Sequence, residues 1–410
     1  MQQSSQGLNR IEEKKIPDII GLFINPEKES IDCKLIIKKV KAHKLLELFY
    51  YQLISSHKIY YFEENQIYKM KKTTFSYMFN TRKNISKAEN LYKIFNENNL
   101  KVIALKGLVI RSYYKNPDFR NMGDWDFLVR DDEMKTVEEI LKMEGYKYDH
   151  ETLAHKVYIR DDNVKVELHS SLIDGDYYKK RSPYEENVFN NIRKIKVSDV
   201  VMYSLGYNDQ LMHLITHMLT HVSSSSIGIR QVLDVALYIN NEKDNIDFKK
   251  FYLDIKRYDI YDFTIAILKI CDELFSLDVE EYVRKEFNKC NKELKLMLVE
   301  AIIEGGLGAG NSLKNTLGNQ FGYDKDNYKE RSTINLVKRY MEFIFPKYEV
   351  MKEKYAYCKR FKILLPIAWI HRIITGGITK EISITRKARL ISTSFKVSKK
   401  KNKLLKLLDI

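Results

Sequence analysis

Proline, glycine and cysteine are all scarce in this 410-residue chain, and each shortage excludes a class of protein. With only 6 prolines and 16 glycines, collagen-like and proline-rich extended structures are excluded. The four cysteines lie far apart and form no CxxC pair. This spacing indicates neither a disulfide framework nor a zinc knuckle, and it favours a reducing compartment.

The sequence also lacks a long apolar run. A membrane-spanning helix needs about 20 consecutive apolar residues, whereas the nearest candidate here, Ile363–Ile370, has eight residues. The first fifteen residues contain no apolar core of the kind found in signal peptides. We therefore expect a soluble, cytoplasmic protein, with peripheral contact at a membrane as a further option.

Basic residues outnumber acidic ones by 70 to 55, which gives a net charge of +15. This balance favours anionic partners and does not specify a fold. Residues 386–406 form a basic tail that contains no acidic residue but has interleaved apolar side chains. The tail could bind anionic lipid or nucleic acid, and a solvated tail is the alternative.

Apolar periodicity predicts helices on both sides of a small α/β segment. Ser86 is expected to be the N-cap of a helix over residues 87–98, and one helix is expected over Val279–Glu304. Gly305–Gly310 is predicted to be a loop that is too unlike a Walker A motif to bind phosphate. The fold class is therefore α+β, a small mixed sheet with flanking helical regions. Its expected parts are an N-terminal helical region (1–100), an α/β core (101–200), a helical domain that closes a cleft (201–304), a C-terminal helical extension (305–385) and the tail (386–410).

Within the core, the predicted order is strand, helix, strand, helix and hairpin. The second strand carries Asp124 and Asp126. Side chains two residues apart in a strand project to the same face, so both carboxylates should point the same way. Two such carboxylates repel each other unless a cation lies between them. A solvated acidic face is the simpler alternative.

A third carboxylate is available in the predicted hairpin. There Glu167 shares a strand face with Lys165 and His169, opposite three apolar residues. If this strand neighbours the Asp124 strand, the three acids form one site with the oxygen ligands that Mg²⁺ or Mn²⁺ prefers. Two ions held there could stabilise in-line displacement at phosphorus.

Upstream, Lys106-Gly107 lies at the end of a predicted strand and the start of a helix. Glycine allows a close backbone approach to phosphate, and a helix N-terminus favours an anion. Lys106 and Arg120 could add positive charge. The order of these motifs along the chain favours the functional interpretation over a solvated acidic face.

These segments resemble the polymerase-β-type nucleotidyltransferase superfamily, and within it a bacterial family of uncharacterised nucleotidyltransferases. The resemblance lies in Leu105-Lys-Gly107, Arg120–Val129, Gly145-Tyr146 and Val166–His169, and it extends to His217–His221, Arg230–Asp234, Phe345-Pro346 and Leu364–Arg372. It implies that Asp124, Asp126 and Glu167 bind the metal ions. It also implies nucleotide contacts at Lys106, Gly107, Arg120 and Gly123.

The resemblance further implies transfer of NMP from an NTP to a hydroxyl of a small molecule, sugar or protein, with release of pyrophosphate. The superfamily usually has Gly-Gly or Gly-Ser where this chain has Lys106-Gly107-Leu108, so Lys106 is expected to replace the serine contact. A non-catalytic nucleotide- or RNA-binding protein on the same scaffold is the alternative.

Two helical segments supply further candidates. His213, His217 and His221 are spaced four residues apart and should share one helix face. They could be core residues, a zinc site, or, for His217 and His221, part of the cleft together with His169. Arg230 and Asp234 could pair with each other or contact phosphate or acceptor.

Overall fold

The computed structural model describes residues 18–24, 32–152, 155–172, 188–197, 199–224, 227–309, 345–375, 403–404 and 407–408. The chain divides into two units. The first comprises residues 1–219 and 228–291, and the second comprises residues 220–227 and 292–410. The predicted tail (386–410) lies outside the described residues except at 403–404 and 407–408.

The first unit contains a mixed β-sheet, and seven strands of it lie in the described part of the chain. The strands are β1 (Ile103–Ala104), β2 (Trp125–Leu128), β3 (Tyr146–Glu151), β4 (His155–Arg160), β5 (Lys165–His169), β6 (Arg193–Val197) and β7 (Val200–Ser204). They are arranged in the order β3-β4-β5-β2-β1-β7-β6. β2 runs parallel to β5 and β1 runs parallel to β7, whereas the other neighbours are antiparallel.

The expected hairpin is confirmed as β4 and β5, and the expected strand around Asp126 is confirmed as β2. Three strands were not predicted. β3 has only its first residue buried, so it carries no apolar alternation. β6 and β7 pair antiparallel at the opposite end of the sheet.

Eleven helices of the described chain begin within the first unit. They are α1 (Ile19–Phe23), α2 (Cys33–Ala42), α3 (Leu46–Ser55), α4 (Glu64–Glu97), α5 (Gly107–Ile110), α6 (Asp131–Met143), α7 (Tyr207–Ser224), α8 (Ile229–Glu242), α9 (Phe248–Arg257), α10 (Tyr261–Phe275) and α11 (Glu281–Phe287). Short 3₁₀ segments occur at Ile59–Tyr61, Arg111–Tyr113, Pro117–Phe119 and Val188–Asn190. α7 crosses from the first unit into the second after Leu219.

The prediction that Ser86 caps a helix is wrong, because α4 is continuous from Glu64 to Glu97. The Ser86 hydroxyl donates to the carbonyl of Arg82 within the helix instead. The last turns of α4 pack on the sheet, where Tyr92 and Phe95 meet Phe127 of β2 edge to face, with ring centroids 5.5 and 5.9 Å apart. This apolar layer covers the face of β2 opposite Asp126.

In the second unit, α12 (Lys292–Ala309) continues through Gly305 and Gly306, so the predicted loop there is wrong. The helix also begins separately from α11, where one helix had been expected. Ile302 and Gly305 are buried, which indicates that packing outweighs the low helix propensity of glycine. Gly310 lies outside the described residues.

The remaining helices of the second unit are α13 (Tyr348–Lys354), α14 (Ala356–Arg360) and α15 (Leu365–Thr375), with a 3₁₀ turn at Lys362–Leu364. Met351, Tyr355 and Ala368 form their apolar core. The Trp369 indole donates to the carbonyl of Pro346 at 2.9 Å. Among the described helices, none is long and apolar enough to cross a membrane.

Candidate active site

The pairing of two parallel strands brings the predicted acids together. Asp126 of β2 is in register with Glu167 of β5, although the two residues are 41 positions apart in the chain. Asp124 directly precedes β2 and is half-buried. Its charge acts on Lys106, Lys165 and Glu167, which indicates that it lies on the same side of the sheet. The condition set by the sequence, that these strands be neighbours, is therefore met.

Asp126 is buried between the side chains of a lysine and a histidine. Lys106 Nζ lies 2.8 Å and His169 Nε2 lies 3.1 Å from Asp126 Oδ1. Burial alone would raise the pKa of Asp126, but Lys106 and His169 outweigh it and hold that pKa well below its usual range. Likewise, burial would lower the pKa of Lys106, but the pairing with Asp126 raises it. Both members of the Lys106–Asp126 pair are therefore charged.

Lys106 adopts a left-handed backbone conformation with φ of 46°. This conformation is unusual for a residue with a Cβ atom, and such strain is concentrated at functional sites. It lies at the turn from β1 into α5 and directs the side chain to Asp126. The sequence indicated a phosphate-binding turn here, and the structure adds the direct contact with a predicted metal ligand.

Glu167 carries a carboxylate whose ionised form is disfavoured by its surroundings. Burial raises its pKa, and repulsion from Asp126 and Asp124 raises it further, while Lys165 opposes this. Lys165 donates a hydrogen bond to Glu167 Oε1. No hydrogen bond or ion pair to Asp124 forms within the described part of the chain. The arrangement therefore concentrates negative charge in a way that a bound divalent cation would relieve.

Two imidazoles adjoin the other oxygen of Glu167. His155 Nε2 lies 3.7 Å and His169 Nε2 lies 3.8 Å from Glu167 Oε2. His155 faces His169 across the β4–β5 pair, with ring centroids 4.9 Å apart. Burial and the neighbouring His169 lower the pKa of His155 to about 4, so its ring is neutral near pH 7. Sequence reasoning missed His155, because only the hairpin register places it beside His169.

His213 of α7 lies beside this cluster, where it interacts electrostatically with Lys106, His169 and Asp126. It is buried, and neither ring nitrogen has a hydrogen-bond partner among the described residues. Burial lowers its pKa to about 3, with smaller effects from Lys106 and His169. The ring of His217 lies 6.1 Å from that of His213, centroid to centroid. His221 belongs to the second unit.

The loop before β2 is held by α8. Arg120 donates from Nε and Nη2 to the two oxygens of Asp234, at 3.2 and 2.8 Å, and the Tyr114 hydroxyl donates to Asp234 Oδ1 at 2.7 Å. Arg230 donates to the carbonyl of Asn121 at 2.6 Å. Asp234 thus pairs with Arg120, one of the predicted nucleotide contacts. Together, Arg230 and Asp234 of α8 hold the loop that leads to Asp124.

Gly107 has a steric reason to be glycine. A Cβ atom there would lie 2.6 Å from both Arg120 Nη1 and Met122 Sδ. Because Arg120 is held by Asp234, its side chain cannot easily give way. Gly123 differs, since it is exposed and a Cβ atom there would meet nothing within 4 Å.

Lys44, which interacts with Asp124, and Glu47, which lies near Asn121 and Arg230, are two further residues that the sequence did not suggest. Glu47 is buried, and its two oxygens have no hydrogen-bond partner among the described residues. Burial raises its pKa to about 7 and outweighs nearby polar groups, including Asn121 and Arg230. Burial and Arg230 lower the pKa of Lys44, while Asp124 opposes this. Both residues lie near the α2–α3 turn, and their helical pattern contained no signal of a site.

The fold and the cluster together define the class: an α+β domain whose sheet presents three carboxylates on one face, suited to chemistry on phosphates. A family model described as uncharacterised nucleotidyltransferase matches residues 29–276, more than half of the chain. The chain belongs to this family, and its general activity is nucleotidyl transfer. The match includes every residue of the cluster and ends before the C-terminal segments that also resembled the family. No curated protein matches the chain.

Proposed function

We propose that this protein transfers NMP from an NTP to an acceptor hydroxyl on a small molecule, sugar or protein, and that it depends on Mg²⁺ or Mn²⁺. The observation that carries the proposal is the register of Asp126 with Glu167, beside Asp124. Three carboxylates on one sheet face provide oxygen donors of the type that both ions bind. Two ions would be held by Asp124 and Asp126, with Glu167 completing the site.

In the proposed reaction, the acceptor oxygen forms a bond to the α-phosphorus as the bond between that phosphorus and the pyrophosphate oxygen breaks. A bound divalent cation would neutralise charge on the phosphate oxygens and lower the pKa of the attacking hydroxyl. Little covalent chemistry is needed from the chain, so its residues act by positioning and by electrostatics.

The basic residues around Asp124 are suited to the triphosphate. Lys106 and the turn at Gly107 adjoin Asp126, and Lys44 and Arg230 add positive charge. Arg120 is already bound on both oxygens of Asp234, so we assign it to holding the loop. The open space at Gly123 leaves room for nucleotide, and we assign His169 and His217 to the acceptor side.

Asp124→Asn gives the cleanest test, because the change removes a carboxylate that has no hydrogen bond or ion pair among the described residues. Neutralising Asp126 would instead leave Lys106 buried without its partner. Calorimetry with each of the four NTPs, with and without Mg²⁺, should show Mg²⁺-dependent binding in the wild type. In Asp124→Asn, the affinity should fall at least about tenfold while the thermal midpoint is unchanged.

Asp132→Asn is the matched control, since it makes the same chemical change at an exposed position in α6. It should bind NTP like the wild type. If Asp124→Asn also retained Mg²⁺-dependent binding, the carboxylates would not be the metal–nucleotide site and the proposal would fail.

A non-catalytic nucleotide- or RNA-binding role is the second candidate. The ion pair between Lys106 and Asp126 favours it, because this pair already neutralises one predicted metal ligand. The mutual repulsion that acts on Glu167 argues against it, because acids beside a phosphate are unfavourable without a metal ion.

A further inference from the structure

The polar cluster on the sheet contains a set of ligands that nucleotidyl transfer does not require. His155, Glu167 and His169 each offer one ligand atom, and these three atoms all lie within 4.8 Å of one another. Their geometry follows from the sheet. His155 and His169 are direct partners across β4 and β5, and Glu167 precedes His169 by two residues on the same face.

Two of the three distances between the proposed ligand atoms are close to those of a metal site. Zinc binds imidazole nitrogen at about 2.0–2.1 Å in tetrahedral geometry, so two ligand atoms on one ion lie about 3.4 Å apart. Here Glu167 Oε2 is 3.7 Å from His155 Nε2 and 3.8 Å from His169 Nε2. The two imidazole nitrogens lie within 4.8 Å of each other, so the rings would have to approach by up to about 1.4 Å to complete the three bonds, and the aqueous side would supply the remaining ligand.

Unsatisfied polar atoms beside the cluster provide a second, independent observation. His213 is 3% exposed and both of its ring nitrogens lack a hydrogen-bond partner in the described part of the chain. Lys106, His169 and Asp126 interact electrostatically with it, which places it against the same cluster. His155 Nδ1 is also buried without a partner. Buried polar atoms without partners are rare in folded proteins, and an absent ion is one explanation.

We propose that His155, His169 and Glu167 bind one transition-metal ion through two imidazole nitrogens and one carboxylate oxygen. Imidazole favours zinc, cobalt, nickel and iron, whereas Mg²⁺ prefers oxygen ligands. The site is therefore selective against Mg²⁺, and it differs from the all-carboxylate set of Asp124, Asp126 and Glu167. Binding exchanges the contact of His169 with Asp126 for a metal bond, while Lys106 continues to neutralise Asp126.

The test uses Co²⁺ as probe, on the full chain after removal of bound metal by a chelator. We expect one equivalent of Co²⁺ to produce visible d–d absorption bands. One equivalent of Zn²⁺ should abolish these bands, and a hundredfold excess of Mg²⁺ should not. Displacement by Mg²⁺ as readily as by Zn²⁺ would overturn the proposal.

His155→Ala is the informative variant, because His155 does not contact Asp126 and its loss leaves the three carboxylates intact. We expect Co²⁺ affinity to fall at least about tenfold, and Mg²⁺-dependent NTP binding to persist. His150→Ala is the matched control, since it removes an exposed imidazole from the neighbouring strand. Equal Co²⁺ affinity in the two variants would refute the site without affecting the proposed NTP reaction.

Pulsed EPR of the wild-type chain loaded with one equivalent of Cu²⁺, an ion that imidazole binds well, provides a readout that needs no variant. A bound imidazole nitrogen couples to the electron spin, whereas a carboxylate oxygen does not. Nitrogen couplings from two imidazoles are expected. Their absence would exclude the proposed ligand set.

Discussion

At the scale of single residues, the buried carboxylates near the sheet differ in how their charge is compensated. Asp126 is paired with Lys106 and lies beside His169, and Glu167 is paired with Lys165. Glu47 has no hydrogen-bond partner among the described residues. A buried carboxylate without a partner is destabilising when ionised, so Glu47 should make the folding free energy depend on pH.

The direction of this dependence follows from the raised pKa of Glu47, about 7 in the folded chain against an ordinary value of 4.5. Between these two values the folded state retains a proton that the unfolded state has lost. Stability therefore falls as pH rises through this range. Glu47→Gln removes the titration, so the variant should gain on the order of 3 kcal/mol relative to wild type between pH 4.5 and pH 8.

Urea unfolding of wild type and Glu47→Gln at both pH values measures this difference. Any pH-independent effect of the amide on stability cancels when the two pH values are compared. Glu97→Gln is the control, because Glu97 is exposed on α4 and should show no comparable change. A Glu47→Gln difference that is the same at both pH values would contradict the assignment.

At the scale of elements, α8 fixes the loop that carries the strand with the acids. Asp234 accepts hydrogen bonds from Arg120 and Tyr114, and Arg230 binds the backbone of Asn121. Each of these contacts joins residues more than 100 positions apart in the chain. The position of Asp124 therefore depends on a helix that contributes no predicted metal ligand.

Breaking the Arg120–Asp234 ion pair should lower the stability of the fold substantially. Asp234→Asn leaves Arg120 buried beside a neutral amide, and loss of one partner from a buried ion pair costs about 3–5 kcal/mol. Asp161→Asn breaks the exposed pair with Lys147, in which the Asp161 side chain is 83% exposed, and should cost no more than about 1 kcal/mol.

Urea unfolding at pH 7 compares the two variants directly. Equal losses of stability would mean that Arg120 and Asp234 contribute no more than a surface pair. Because the loop leads to Asp124, Asp234→Asn should also weaken Mg²⁺-dependent NTP binding, whereas Asp161→Asn should not.

The elements also differ in how well local pattern predicts them. β2, β4 and β5 have the apolar alternation that the sequence displays, and they were predicted. β3 is mostly exposed and polar, so its own sequence pattern does not predict a strand. It is a strand because its backbone pairs with β4. α4 and α12 run through Ser86 and Gly305, because tertiary packing outweighs the weak local preference of a single residue.

At the scale of the whole molecule, net charge is the dominant feature. A charge of +15 should attract polyanions in general, through release of counterions. We expect single-stranded RNA to bind with an affinity that falls steeply between 50 and 200 mM salt, by about tenfold or more. Fluorescence anisotropy with a labelled RNA over this range gives the salt slope.

This measurement also separates the two candidate functions. For a nucleotidyltransferase, RNA binding should be the same in Asp124→Asn as in wild type at each Mg²⁺ concentration. A site-specific RNA-binding role would be favoured instead if RNA bound tightly at 200 mM salt and competed with NTP for the carboxylate cluster.

The sequence by itself determined the broad fold class and predicted the composition of the candidate site. Asp124, Asp126, Glu167, Lys106 and Gly107 could be identified because strand period, turn chemistry and carboxylate spacing are local properties. The α+β class followed from the same periodicities, and the family resemblance rested on the same motifs.

Only the tertiary structure decided which of these groups meet. The parallel pairing of β2 with β5 places Asp126 beside Glu167, and the hairpin register adds His155. Lys44 interacts with Asp124, and Glu47 lies near Asn121 and Arg230, although both come from a helix pair with no sign of function in its own pattern. The physical reason is that charge compensation and burial depend on contacts between residues distant in the chain, whereas periodicity records only which face of its own element a residue occupies.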